Sequence, residues 1–424
     1  MMFQSKTCIT AIEIGTSKVC VLIGKADKEG NLSVAGHGER ACLGAVSKGE
    51  IVDVSAILEL LSAAIDEADA LAGNDVIDHN NIFVAVTASD IDSFQGVGNV
   101  FVTAPDRRIT EADVDEAVKN AQVKPLSRGH VAINSFDSYY QIDGIRRIRN
   151  PLDQVADKLE AFVHVIHGDE NRIENYLSAV RDTGFDEGVL PVFSGVASAF
   201  GVLTEDEKEH GVLLVEMGAG TTEYLAVYNF GMMLSGVLPV GLEHVANDLA
   251  VGLDLHIGQA RRVLNEGEYY RLKRSGKPTL ELRTSSGVLR RIPVTSIERI
   301  IDLRMREIFQ IINAKVKKED ILINTGGVIS GGAALLPQTM EIFKNVFEIP
   351  VRAGHPLDLT GASTDLDTPR YSTVWGLLKY GEYITRARQS RSNKGAWERC
   401  LDSVDNMLKP VFKNFSELKN AIKF

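Results

Sequence analysis

Cysteine is scarce and scattered in this 424-residue chain. Cys8, Cys20, Cys42 and Cys400 show no C-x-x-C spacing, which argues against a thiol-built site and reads as buried or incidental thiols of a reducing cytoplasm. No stretch approaches the roughly 18 apolar residues that a bilayer span requires. The N-terminus, MMFQSKTCITAIEIG, is no signal peptide: the run after Lys6 is broken at Glu13 and leads straight into a strand pattern. Positive charge is in deficit, with a net charge of −11, which argues against nucleic acid and against indiscriminate adhesion to anionic membrane. There is no G-x-S-x-G and no Cys/His pairing signal. His164 and His167, three apart in an expected strand, fall on opposite faces, so metal ligation is not expected.

What is present is an ordinary globular composition, 44% hydrophobic and 24% charged, with length for two to four domains. The charge is uneven. Residues 50–78 hold eight acids and no Lys or Arg, residues 261–306 hold twelve Lys and Arg against five acids, and residues 388–424 hold eight against four. A basic stretch on an acidic chain is a candidate docking surface.

Strands and helices alternate, which predicts an α/β fold. TCITAIEIGTSKVCVLIGK reads as a hairpin, with strands at 7–13 and 19–25 around Gly15-Thr16. GVLLVEMGAGTTEYLAVYN repeats its grammar 203 residues later, from Glu13 to Glu216, so two related halves could face each other across a cleft. Residues 54–72 form an amphipathic helix pattern. ITEADVDEAVKNAQ opens a helix on Thr110, with Asp113 three residues on. The segments 80–91 and 158–168 read as strands, and 170–184, 241–253 and 295–318 as helices. Residues 269–294 read as a basic β-hairpin region, 321–343 as strand, glycine turn and helix, and 386–395 as a linker.

Three glycine turns offer convergent backbone N–H groups of the kind that hold phosphate. They are Gly15-Thr16-Ser17-Lys18, Gly218–Thr222 and Ser330-Gly331-Gly332-Ala333. The last is preferred over Thr325-Gly326-Gly327 because AALLPQTMEIF is expected to start a helix directly after it.

At these residues the chain resembles the FtsA family of the actin-like ATPase superfamily. AIEIGTSKV is similar to that family's first phosphate motif and GVASAFGVLTEDEKEHGVLLVEMGAGTTEYLAVY to its second. VISGGAALLP is similar to its adenosine motif, and PLDLTGASTDLDTPRYSTVWGLLKYG to the segment before its tail. The likeness covers residues 8–385. It implies an actin-like two-domain fold with ribonuclease H-like halves, an inserted subdomain and a C-terminal amphipathic helix. The implied division is 7–82 with 164–200 for the first subdomain and 83–163 for an inserted self-assembly subdomain. The second subdomain would be 201–240 with 310–385, the small docking subdomain 241–309, and the linker and tail 386–424.

Carried over, Gly15, Thr16, Lys18, Gly218, Gly220 and Thr221 would meet the phosphates of ATP. Gly331 and Gly332 would lie near the adenosine, Asp248 matches a helix acid, and Glu13 and Glu216 are the candidate catalytic carboxylates, with no direct metal ligand assigned. The chain also departs from the pattern. Glu216 and Glu223 stand where the family has Asp, Ala219 replaces a glycine, Arg261 and Leu264 replace the Glu and Lys of a nucleoside-contacting helix, and Ala246 replaces a Thr. An added methylene moves a carboxylate by over about 1 Å, and Mg²⁺ tolerates little departure from octahedral geometry. Weakened ATP and Mg²⁺ binding and weak ATPase activity at most are therefore expected.

In the tail, Trp397, Leu401, Val404 and Leu408 repeat at helical spacing, as do Val411, Phe415, Leu418 and Ile422, with Phe412 and Phe424 beside them and four lysines interleaved. A basic amphipathic helix after a linker predicts an interfacial anchor for anionic lipid. Partial burial of such side chains, each worth about 1.5–3 kcal/mol when fully buried, suits transient attachment made firm by polymer avidity. The resemblance implies an adaptor that tethers FtsZ filaments to the cytoplasmic face of the inner membrane at the division site, with self-association into filaments and contacts to other division proteins. Arg304 would receive the acidic FtsZ C-terminal peptide, supported by Arg299 and Arg306. The alternative is an active ATPase or small-molecule kinase of the same superfamily; a pilus-type actin-like scaffold is disfavoured by YSTVWGLLKYG and the tail.

Overall fold

The computed structural model describes residues 7–391, apart from 28–30, 43, 124–125, 186–187, 277 and 362–363. The expected anchor residues Trp397, Leu401, Val411, Phe412, Phe415, Leu418, Ile422 and Phe424 lie outside the described residues.

Two five-stranded sheets carry the fold, and both have the same plan. In the first, Thr7–Ile14 sits centrally. Lys18–Ala26 and then Leu32–Ala41 add antiparallel on one side; Ile82–Val86 and then Val189–Phe193 add parallel on the other. In the second, Val212–Met217 is central. Thr222–Tyr228 and Gly231–Leu238 lie to one side, Gly326–Ser330 and Val351–Ala353 to the other. The duplicated hairpin in the sequence is thus the visible part of a duplicated ribonuclease H-like sheet. Inner strands read as largely apolar runs because both faces are covered: all of Val212–Met217, Glu216 included, and Ile82–Val86 are buried.

Between the fourth and fifth strands of the first sheet the chain inserts a four-stranded antiparallel sheet, in spatial order Asp92–Phe101, Lys158–Asp169, His130–Ile142, Arg146–Ile148. Helix Glu111–Gln122 covers it, packing Val114, Ala117, Val118 and Ala121 into a separate core. Its expected start is correct in detail: Thr110 Oγ1 accepts from the Asp113 N–H, and Asp113 Oδ2 accepts from the Thr110 N–H at 2.8 Å. The insert docks on strand Gly231–Leu238. Ser138 Oγ donates to the Met232 carbonyl and Ser93 Oγ to the Ser235 carbonyl, both at 2.7 Å. His164 Nε2 lies 2.8 Å from Ser235 Oγ, and burial pushes that imidazole down to about 3.

The basic region forms a small unit on the second sheet. It contains helices Leu242–Leu253, Ile257–Glu266 and Glu268–Arg274, the hairpin Thr279–Arg283/Leu289–Pro293, and the 25-residue helix Val294–Lys318. The long helix buries Ile297, Ile301, Met305, Ile308 and Ile312, an i, i+4 stripe.

Three sequence expectations change. Glu268–Arg274 is helical, where the sequence reads as hairpin. Gly332–Leu335 is one 3-10 turn rather than the start of an α-helix, which begins only at Thr339; Pro337 lacks the N–H a continuing helix needs and biases Leu336 to extended backbone. Helix Ser372–Arg391 runs on into the segment expected to be linker. That helix, much of it within the 310–385 segment, packs on the first sheet: Val374, Leu377, Leu378, Tyr380 and Ile384 join the core of Thr7–Ile14 and Ile82–Val86. It crosses helix Ser194–Val202 at backbone contact, since a β-carbon on Gly376 would fall 1.8 Å from the Ala197 carbonyl. No helix among the described residues is long and apolar enough to cross a membrane.

Candidate functional site

The two hairpin turns meet. A β-carbon built on Gly220 would stand 2.3 Å from Thr16 Oγ1 and 3.2 Å from the Lys48 N–H nitrogen, so the turn of the second half rests directly on that of the first. Gly15 N–H donates to the Lys18 carbonyl at 2.8 Å and Gly218 N–H to the Thr221 carbonyl at 3.0 Å, closing each turn. The amides of Thr16, Ser17, Ala219 and Gly220 have no acceptor among the described residues. Ala219 is not among the positive-φ residues, so its methyl costs no backbone strain. The Gly218 and Ala219 carbonyls accept from the Leu242 and Glu243 N–H groups at 3.0 and 2.9 Å. The second turn thereby seats the first turn of helix Leu242–Leu253.

Beneath the turns lies a carboxylate cluster. Lys18 Nζ donates to Glu13 Oε2 at 2.6 Å and lies over the Tyr371 ring. Lys18 is therefore turned onto Glu13 and buried rather than presented to solvent. Burial works against its charge, but the Glu13 carboxylate and other neighbouring acidic groups outweigh it and hold the ammonium above its ordinary value. Glu216 and Glu223 are cross-strand partners on the second hairpin and are both buried. Glu223 Oε1 accepts from Thr87 Oγ1 at 2.6 Å and from Thr221 Oγ1 at 2.9 Å. Burial first, then the Glu223 charge and hydrogen bond and the Glu13 charge, push Glu216 well above the usual carboxylate range. Burial and the neighbouring charges thus favour the protonated form of the Glu216 carboxyl.

The third turn closes the cluster from the side. Gly331 has φ +76, its N–H donates to the Pro369 carbonyl at 3.0 Å, and a β-carbon there would fall 2.4 Å from Glu216 Oε1. Gly332 lies beside Leu242. Ser330 Oγ, fully buried, meets Ser198 Oγ at 2.8 Å.

The remaining sequence-derived residues are distributed differently. Leu264 is core of the small unit. Arg261 pairs with Glu243 on the first turn of helix Leu242–Leu253, with Nη2 2.7 Å from Oε2. Asp248 is occupied by Arg304: Nε donates to Oδ2 at 2.6 Å and Nη2 to Oδ1 at 3.0 Å, while Nη1 donates to Glu307 at 2.7 Å. Arg299 is exposed, and Arg306 pairs with Asp302 at 3.0 Å. Arg299 and Arg306, seven apart, share a stripe of the helix, from which Arg304 is rotated by about 140° at 100° per residue. The structure therefore separates Arg304 from the other two. Thr87 and Lys48 enter the site from the first half and were missed. Thr87 immediately follows a parallel strand, the position at which open α/β sheets place ligands, so that signal was available.

Comparison with known proteins now decides the family. The model of "Cell division protein FtsA" matches residues 213–376, and that of "SHS2 domain inserted in FTSA" matches 88–167, the inserted sheet. The cell division protein FtsA of Pseudomonas aeruginosa is 30% identical over 383 residues, 89% of this chain and 90% of the relative. The chain belongs to the FtsA family. The FtsA of Borreliella burgdorferi is 28% identical over 430 residues, 98% of each chain. Among solved structures, the PilM-PilN type IV pilus biogenesis complex shares the fold at TM-score 0.59 and 14% identity, over 88% of this chain and 98% of that one. The MreB5 of Spiroplasma citri bound to ADP does so at TM-score 0.50 and 12% identity, over 92% and 99%. This FtsA-family chain thus pairs an actin-like α/β fold with the inserted domain of its family.

Proposed function

We propose that this cell division protein is an ATP-binding adaptor that tethers FtsZ filaments to the cytoplasmic face of the membrane at the division site. The observation that carries the nucleotide part is the meeting of Gly220 with Thr16. Two amide-rich turns, one from each half, converge at one point, and the backbone leaves no room for a side chain there. Such turns fit phosphate oxygens.

In this reading Gly15, Thr16, Gly218, Gly220 and Thr221 hold the phosphates, Gly331 and Gly332 flank the adenosine, and Lys18 and Glu13 set the charge beneath. Bound ATP supplies negative charge that both halves grip at once. Mg²⁺ fits less well, because it demands near-octahedral oxygen geometry and the raised Glu216 carboxyl is a poorer anionic ligand. Catalysis by Glu13 and Glu216 is accordingly weak at most, and the nucleotide sets the assembly state of filaments rather than turning over. Arg304 receives an acidic FtsZ peptide, with Arg299 and Arg306 on another face of the same helix, and the tail from Trp397 to Phe424 enters anionic lipid. The buried carboxyl cluster favours a second reading, an active ATPase or kinase, since perturbed carboxyls suit proton transfer.

The test is equilibrium titration of the full chain with fluorescent ATP and Mg²⁺ alongside phosphate release, and cosedimentation with anionic vesicles. Tight binding with slow release, and vesicle binding lost in Phe415→Asp/Leu418→Asp, supports the adaptor. Rapid multiple turnover supports the second reading, and full vesicle binding by the double variant defeats the anchor.

A further inference from the structure

The arginine assigned to the acidic partner is already engaged from within the molecule. Arg304 spends Nε and Nη2 on the two oxygens of Asp248 and Nη1 on Glu307, so its guanidinium makes the two-pronged contact that a carboxylate ligand would make. The two carboxylates come from different elements. Asp248 projects from helix Leu242–Leu253, while Glu307 lies on the same helix as Arg304, one turn on.

The pairing has the properties of a reversible occupant rather than a buried strut. The Arg304 and Asp248 side chains keep 29% and 28% of their exposure, and Glu307 keeps 58%. An ion pair this wet adds little to stability, because water screens it and solvates both partners when it opens. Its surroundings also suit a ligand with both charge and apolar groups. Leu303 beside Arg304 and Val251 one turn beyond Asp248 are strongly exposed.

We propose that Asp248 is an internal stand-in for the acidic partner, holding Arg304 closed until an external carboxylate displaces it. The inference rests on the reading of Arg304 as a peptide-docking residue. The external ligand is a short peptide alternating acidic and apolar residues. It exchanges one bidentate carboxylate–guanidinium contact for another, so its net affinity is set by the competition with Asp248. Removing the Asp248 charge without changing its shape should therefore tighten binding.

The experiment is fluorescence anisotropy of a fluorescein-labelled hexapeptide alternating aspartate and leucine, with full-length protein at low salt and no nucleotide. Four proteins are compared: the parent chain, Asp248→Asn, Arg304→Ala and the double variant, each checked by thermal melting. Glu307→Gln provides a second route to releasing Arg304 should Asp248→Asn melt early. The expected result is about two- to fivefold tighter binding by Asp248→Asn, the scale of one exposed ion pair, with the gain abolished in the double variant. Weaker or unchanged binding by Asp248→Asn, with Arg304→Ala still weakening the parent, overturns the gate while leaving the docking reading intact. Binding indifferent to Arg304 in both backgrounds overturns the docking reading and the gate together.

Discussion

Thr16 and Gly220 touch across the two halves: only 2.3 Å separates Thr16 Oγ1 from where a Gly220 β-carbon would be. The contact makes the cleft floor intolerant of one added methyl group. Gly220→Ala is expected to push the turns apart, at a cost of about 1–3 kcal/mol of stability and at least tenfold in ATP affinity. Ala219→Gly, one residue away at ordinary φ, should cost no more than about 1 kcal/mol. Urea unfolding and ATP titration of both variants separate a steric contact from general loop sensitivity.

Gly331 presents the opposite case, in which conformation and space fail together. Its φ of +76 and ψ of −172 lie in a region that side chains avoid, and a β-carbon would meet Glu216 Oε1 at 2.4 Å and the Met217 carbonyl at 2.6 Å. Gly331→Ala should lose about 2–4 kcal/mol in urea unfolding, more than any substitution at Gly332, whose β-carbon would meet only Leu242, at 3.2 Å.

Glu216 gives a pH dependence of definite sign. Its folded pKa is raised above the ordinary 4.5, so the native state binds the proton more tightly than the unfolded chain does. Its contribution is complete below about 4.5 and is lost as pH rises through the raised folded value. Glu216→Gln keeps a neutral donor facing Glu223. The melting temperature of Glu216→Gln relative to the parent should therefore rise with pH above about 4.5. A difference that shrinks with pH would mean that Glu216 is ionised in the fold.

Helix Glu111–Gln122 depends on its first hydrogen bonds. Thr110→Ala removes the side-chain cap and leaves the Asp113 N–H unsatisfied, at an expected cost of about 1 kcal/mol. Because the insert has its own core, hydrogen exchange should report the loss there first, with the sheets of the two halves little changed.

What the residues revealed beforehand was whatever is local or repeated. The hairpin after Glu13 and its counterpart after Glu216 are short alternations of strand and turn, and the second confirmed the first, so the paired sheets were legible. The Thr110 cap was legible because its signal fits within four residues. Helix Glu268–Arg274 was not, since Tyr269 and Tyr270 favour strand in isolation. The helix exists because Tyr269 is fully buried, with its hydroxyl donating to Gln338 at 2.9 Å. Helix Ser372–Arg391 outran its apolar stripe because Arg386 can pair with Glu382 one turn back. Thr87 and Glu223 are 136 residues apart, and the pairing of Asp248 with Arg304 depends on how two helices pack. Such pairings belong to the tertiary fold rather than to any local pattern.

The crossing of Gly376 over Ala197 has a mechanical consequence. The last described helix leaves the second half, lies down on the first sheet and is locked there by backbone contact with helix Ser194–Val202. Any force applied through the chain beyond Arg391 therefore enters the molecule at the first sheet, and helix Ser194–Val202, which also packs on the second sheet, hands it on to the half that carries Arg304.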